Sequence, residues 1–123
     1  IHGTGVKLVP AALKAYGFTN IIHVPEQDVV SGDFPTVISP NPEEPAALAM
    51  AVEKAKETDA ELVMASDPDA DRVGAAVKNN EGEWVLLNGN QTALMFVYYL
   101  ITLWKERGKR HGKDYQRVGK NWV

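Results

Sequence analysis

Apolar and polar positions along the 123-residue chain alternate between two periods. In "TGVKLVPAALKAYGF" the residues Val6, Val9, Leu13 and Tyr16 recur at spacings of three and four, the period of an amphipathic helix. Pro10 falls inside this run, and Gly17 stands where a helix C-terminus takes a left-handed residue. "NIIHVPE" reads as a short strand, and "QDVVSGDFPTVISPNPEEP", with four prolines, as a long irregular loop. The pattern in "NPEEPAALAMAVEKAKETDA" returns to the helical period. Asn41 is placed to cap it, Glu43 and Glu44 suit the positive helix start, and Leu48, Ala51, Val52 and Ala55 form the apolar stripe.

"ELVMAS" is a continuous apolar run, as expected of a strand buried on both faces. "VGAAVKNNEGEWVLL" reads as a hairpin, two apolar runs joined by a polar turn. The last element, "GNQTALMFVYYLITLWKERGK", is a long helix with Leu94, Val97, Tyr98 and Ile101 on one face. Met95, Phe96 and Leu103 widen that face, so much of the helix is expected to be buried. The order strand, helix, strand, helix, strand predicts an α/β fold, a three-layer αβα sandwich with a mainly parallel sheet. Because the chain opens directly on "IHGTG", a further strand is expected just ahead of it.

Composition changes this picture little. A 45% hydrophobic and 24% charged content suits a globular protein, and 123 residues suffice for one core. With no cysteine, disulfide and thiolate chemistry are excluded, which fits a cytoplasmic location. A net charge of −3 gives no basic face for nucleic acid, and the basic run at 105–120 reads as a solvated tail. The longest apolar run, about Thr92 to Trp104, is shorter than the ~20 residues that span a bilayer, so no membrane partner is expected. His2, His23 and His111 show no ligand spacing, and Trp84, Trp104 and Trp122 read as packing residues.

Chemistry concentrates in "SDPDADR" at 66–72. An extended strand would hold Asp67 and Asp71 roughly 13 Å apart at ~3.3 Å per residue. A helix would turn Asp69 about 200° away from Asp67. Only a curled loop brings three carboxylates to one point, and Pro68 favours such a bend. Like charges gathered in this way repel, and a divalent cation reverses the balance. An all-oxygen donor set points to a hard ion, Mg²⁺ first, with Mn²⁺ or Ca²⁺ as substitutes. Three protein oxygens leave positions for water or phosphate, and Arg72 next door can grip that phosphate. This describes a phosphoryl-transfer site.

Other readings are open at this point. An acidic loop can simply stay hydrated. An EF-hand loop fits badly, because its sixth position is Arg72 rather than Gly and its twelfth is Lys78 rather than Glu. A haloacid-dehalogenase-type phosphatase would use Asp67 as nucleophile and Asp69 as acid, but only a short stretch of chain follows them. A stand-alone module binding divalent metal or phosphate is a further alternative. Gly3 and Gly5, with Thr4 between them, would let backbone amides approach a phosphate, and a tight turn explains them equally well.

"DPDADR" resembles the metal-binding loop of the α-D-phosphohexomutases, the family of phosphoglucomutase and phosphomannomutase. "HGTG", "VPEQ", "DFPTV", "PNPEEP" and "GEWVLLNGNQ" resemble that family in the same order, over roughly residues 1–108. "YYLITLWKERG" is similar to the branch that contains phosphoglucomutase-2 and phosphopentomutase. The resemblance implies that residues 1–88 are the second of four domains and that 89–123 begin the third. It implies that Asp67, Asp69 and Asp71 bind Mg²⁺, and that Asp71 and Arg72 face the phosphosugar. The implied reaction is intramolecular phosphoryl transfer, of the glucose 1-phosphate to glucose 6-phosphate type. It runs through a phosphoserine and a bisphosphorylated intermediate, with the remaining domains of the same chain as partners. No T-A-S-H-N-P-like phosphoserine segment, G-E-E-S-G-like sugar loop or R-x-S-G-T-E-P-like phosphate loop is present. These 123 residues alone are therefore expected not to catalyse turnover. The residues after Lys109 depart from the family pattern.

Overall fold

The computed structural model describes residues 1–110, with three helices and three strands among them. The described chain divides into two compact units, Ile1–Gly89 and the part from Asn90 onward.

The first unit opens with α1, Gly5–Ala15, which carries Pro10 in its interior. Val6, Val9 and Leu13 of the expected stripe are half-buried, whereas Tyr16 is exposed. The helix stops in a Schellman arrangement: Phe18 N–H donates to Leu13 O and Gly17 N–H to Lys14 O, with Gly17 at φ 95°. A long stretch without helix or strand follows, up to α2, Pro45–Thr58. Its N-cap is Glu44, with Pro45 at the first helical position, rather than Asn41. Asn41 caps a turn one step earlier instead, its Oδ1 accepting from Glu43 N–H at 3.1 Å.

β1, Leu62–Ser66, pairs with β2, Val73–Lys78, and β2 pairs with β3, Trp84–Leu87, giving the order β1-β2-β3. Both pairings are antiparallel, with Val63 opposite Ala76 and Ala75 opposite Leu87. The second is the expected hairpin, its turn held by Asn79, whose Oδ1 accepts from the amides of Glu81 and Glu83.

α2 packs against β1 and covers one face of the sheet. Leu48, Ala47 and Ala55 from the helix join Val63, Ala76 and Ile1 in the core, with Ala51, Val52, Trp84 and Leu86 packed around them.

Four further expectations are corrected. The described sheet is antiparallel, not mainly parallel. Short connections of the kind that follow β1 and β2 can join only antiparallel neighbours, since a parallel pair needs a crossover of a dozen or more residues. The segment "NIIHVPE" forms no strand. β1 is buried on one face only: Val63 is covered by α2, while Leu62 and Met64 point away from it and are exposed. α3, Gly89–Arg110, all but its first residue in the second unit, spans the expected helix, but Leu94, Val97, Tyr98 and Ile101 are exposed. Among the described residues no helix is long and apolar enough to cross a membrane. Trp122, His111 and most of the basic run at 105–120 lie outside the described residues.

Candidate metal centre

The site is built where β1 ends. Ser66 is its last residue, and Asp67 begins a six-residue connection to β2. That connection curls at once. Ala70 N–H donates to Asp67 O at 3.1 Å, and Ala70 takes a left-handed backbone, φ 62°. Alanine bears a steric cost there, so the surrounding contacts hold the curl. Asp67 supplies several of them. Its side chain is buried, its Oδ1 accepts from Arg72 N–H at 3.0 Å, and its Oδ2 accepts from Arg72 Nε at 2.8 Å. The carboxylate thus ties the two ends of the connection together.

This curl places one carboxylate oxygen from each of Asp67, Asp69 and Asp71 within 4.8 Å of one another. Asp67 lies at the buried base, with Asp69 and Asp71 exposed above it. The electrostatics follow from that graded burial. Desolvation pushes the Asp67 carboxyl up, but the hydrogen bonds from Arg72 and those with Asp71 and Asp69 outweigh it and bring it down to about 2. Asp71 moves the opposite way. Its hydrogen bond with Asp67 and the negative charges of Asp69 and Asp67 raise it. Arg72 is held more firmly protonated, chiefly by its bond to Asp67. Arg72 opposes the rise at Asp71 but does not cancel it.

These residues fit a hard divalent ion. The donor set is all oxygen. The two outer acids face solvent, where a ligand can enter. Arg72 bonds Asp67 through Nε and sits 3.8 Å from Asp71, half-exposed, so the terminal nitrogens of its guanidinium are not spent on the Asp67 bond.

Gly3, Thr4 and Gly5 lie beside this loop. Thr4 N–H donates to Pro68 O at 2.8 Å and Thr4 Oγ1 to the same carbonyl at 3.2 Å. A β-carbon on Gly3 would run into the backbone of Pro68, and one on Gly5 into Ser66 Oγ. The Thr4 amide is therefore committed to the acidic loop.

Sequence reasoning missed what lies behind. His2 and Gln27 are buried polar residues, and only their place in the motifs "HGTG" and "VPEQ" marked them. His23 sits in irregular chain and pairs with Asp28 at 2.7 Å, at the surface.

The model of the phosphoglucomutase/phosphomannomutase alpha/beta/alpha domain II matches residues 1–82, two thirds of the chain. The chain belongs to the phosphoglucomutase/phosphomannomutase family. It is 40% identical over 110 residues to a human phosphopentomutase, covering 89% of this chain and 18% of that protein. It is 42% identical over 110 residues to a probable phosphoribomutase of Schizosaccharomyces pombe, covering 89% and 19%. A probable phosphomannomutase of Haemophilus influenzae is 41% identical over 100 residues, covering 81% and 21%. The chain thus spans about a fifth of the length of these relatives. No solved structure matches it. The acidic triad of this family domain, Asp67, Asp69 and Asp71, can hold a metal ion.

Proposed function

We propose that the chain is the metal-binding part of an enzyme that transfers a phosphoryl group within a sugar phosphate, as in the conversion of glucose 1-phosphate to glucose 6-phosphate. In this reading residues 1–88 form the second domain of that enzyme and 89–123 open the third. Asp67, Asp69 and Asp71 hold Mg²⁺, and Asp71 and Arg72 face the phosphosugar. Bound there, Mg²⁺ would neutralise the negative charge that a transferring phosphoryl group carries. The protein's own part is to hold three carboxylates at one point and to keep an arginine alongside for a phosphate oxygen. Gly3, Thr4 and Gly5 line the approach, and supply a phosphate contact only through atoms that Pro68 does not use. The enzyme's workplace is the cytoplasm, which suits a chain without cysteine.

The observation that carries this reading is the convergence of the three carboxylates at the end of β1, with Asp67 buried beneath the other two. Relatives named phosphopentomutase, phosphoribomutase and phosphomannomutase support the substrate class. Others named glucose 1,6-bisphosphate synthase widen it to a bisphosphorylated sugar.

Isothermal titration of Mg²⁺ into the protein and into Asp69→Asn tests the metal. The heat of the first is expected to saturate, with weak affinity, and the substituted protein is expected to lose about tenfold or more in affinity, as removal of a charged oxygen ligand implies. Indistinguishable heats would remove the metal from the account.

A further inference from the structure

Behind the acidic loop lies a polar hub that the metal site does not use. His2 is 1% exposed and makes a hydrogen bond through every polar atom it has. Its N–H donates to Gln27 O at 2.8 Å, and its carbonyl accepts from Ser31 N–H at 3.1 Å. Its Nδ1 lies 2.8 Å from Val29 O, and its Nε2 2.7 Å from Thr36 Oγ1. The Val29 carbonyl can only accept, so Nδ1 carries a ring hydrogen, and Nε2 bonds the Thr36 hydroxyl, accepting from it when the ring is neutral. Gln27 Nε2 donates to the same Thr36 oxygen and to Ala47 O in α2, both at 3.3 Å.

His2 also has a left-handed backbone, φ 53°. A non-glycine residue holds that conformation only where its surroundings over-determine it. Here the consequence is directional. The kink at His2 sends the chain from Ile1, whose nitrogen donates to Ser66 O at 2.7 Å, through Gly3 to Thr4, which closes on Pro68 O. Both anchor points flank Asp67. The hub residue and both anchors thus fall within four consecutive residues, Ile1 to Thr4, beside the backbone that curls the three aspartates together.

We propose that His2, with Thr36 and Gln27 as its partners, is a positioning residue for the acidic loop: it sets the carboxylate geometry through Gly3, Thr4 and the Pro68 carbonyl without touching ion or substrate. The benefit to a metal site rests on the reading above, but the coupling between hub and loop does not.

Hydrogen–deuterium exchange by mass spectrometry on the intact protein, without metal, tests the coupling. Thr36→Val keeps shape and removes the hydroxyl that Nε2 needs, and His2→Leu removes the whole ring network. In both, peptides spanning 3–8 and 67–74 are expected to exchange about tenfold faster, as when a hydrogen-bonded segment opens locally. Peptides spanning 75–87, in the β2–β3 hairpin, are expected to stay as in the unsubstituted protein. Unchanged exchange at 67–74 would overturn the proposal, and so would a uniform rise across all peptides, which marks general destabilisation. A second arm reads Mn²⁺ binding by electron paramagnetic resonance well below the unfolding temperature. Thr36→Val is expected to weaken it about tenfold, the low end for groups that orient ligands. Unweakened binding would overturn the metal-positioning role. If Mn²⁺ fails to bind even the unsubstituted protein, the metal reading falls, and the exchange result still decides the coupling.

Discussion

The carbonyl of Pro42 stands where a β-carbon on Gly74 would have to go, with the Pro42 ring just behind it. Gly74 is buried in β2, two residues after Arg72, so the segment bearing "PNPEEP" closes directly over the strand that leaves the acidic loop. Gly74→Ala sets two effects against each other. Restricting the unfolded chain stabilises by roughly 0.4–1 kcal/mol, and forcing a methyl against backbone costs roughly 1–3 kcal/mol. The neighbour is main chain and cannot rotate away, so the cost wins and the protein is expected to melt several degrees lower. Gly32→Ala is the control. Nothing lies within 4 Å of its would-be β-carbon, and its melting temperature is expected to stay level or rise slightly. Equal melting temperatures for the two variants would refute the close-approach account. At this scale the sequence was most informative about charge. Three alternate aspartates demand a curled loop, and the curl is there. Beyond its place in "HGTG" the sequence said nothing of His2, because a histidine before a glycine carries no sign that its ring will meet Val29 and Thr36 some thirty residues away.

Elements were legible where a single period governs them. The stripe of α2 faces the core as its spacing implies, and the turn signals of "KNNEGE" end in a hairpin. Strand direction was not legible. An apolar run such as "ELVMAS" fits a parallel or an antiparallel neighbour alike, and the connection after it decides. Nor does an apolar run state how many of its faces are covered. Leu48 and Leu94 mark the contrast between elements. Leu48 is 1% exposed against Val63 and Ala76, whereas Leu94 in α3 is 74% exposed. Leu48→Ala is expected to cost about 3 kcal/mol, within the range for a leucine removed from a packed core. Leu94→Ala in the 123-residue chain is expected to change stability by about 0.5 kcal/mol or less. Urea unfolding of both variants checks this, and a Leu94→Ala cost matching that of Leu48→Ala would mean that α3 is packed in solution.

For the molecule as a whole, the question is what a fifth of a relative's length can do. The chain carries three converged carboxylates and an arginine suited to a phosphate, but its sequence offers no serine in a T-A-S-H-N-P-like setting to donate a phosphoryl group. Holding a cation lowers the barrier to a transfer; it does not supply the group transferred. The long apolar side chains of α3 point the same way, since Phe96, Tyr98 and Tyr99 are exposed in a helix whose apolar residues reach most of its circumference. Such a surface is normally buried against further protein. We therefore predict that the 123 residues alone bind a divalent ion weakly and show no phosphoglucomutase or phosphopentomutase turnover above background, with or without added glucose 1,6-bisphosphate. An enzyme-coupled assay on the purified chain decides it, with Asp69→Asn alongside to identify contaminating activity. Turnover in the unsubstituted chain that disappears in Asp69→Asn would mean that the acidic loop performs the transfer without a serine donor, and the division of labour proposed for the larger enzyme would have to be abandoned.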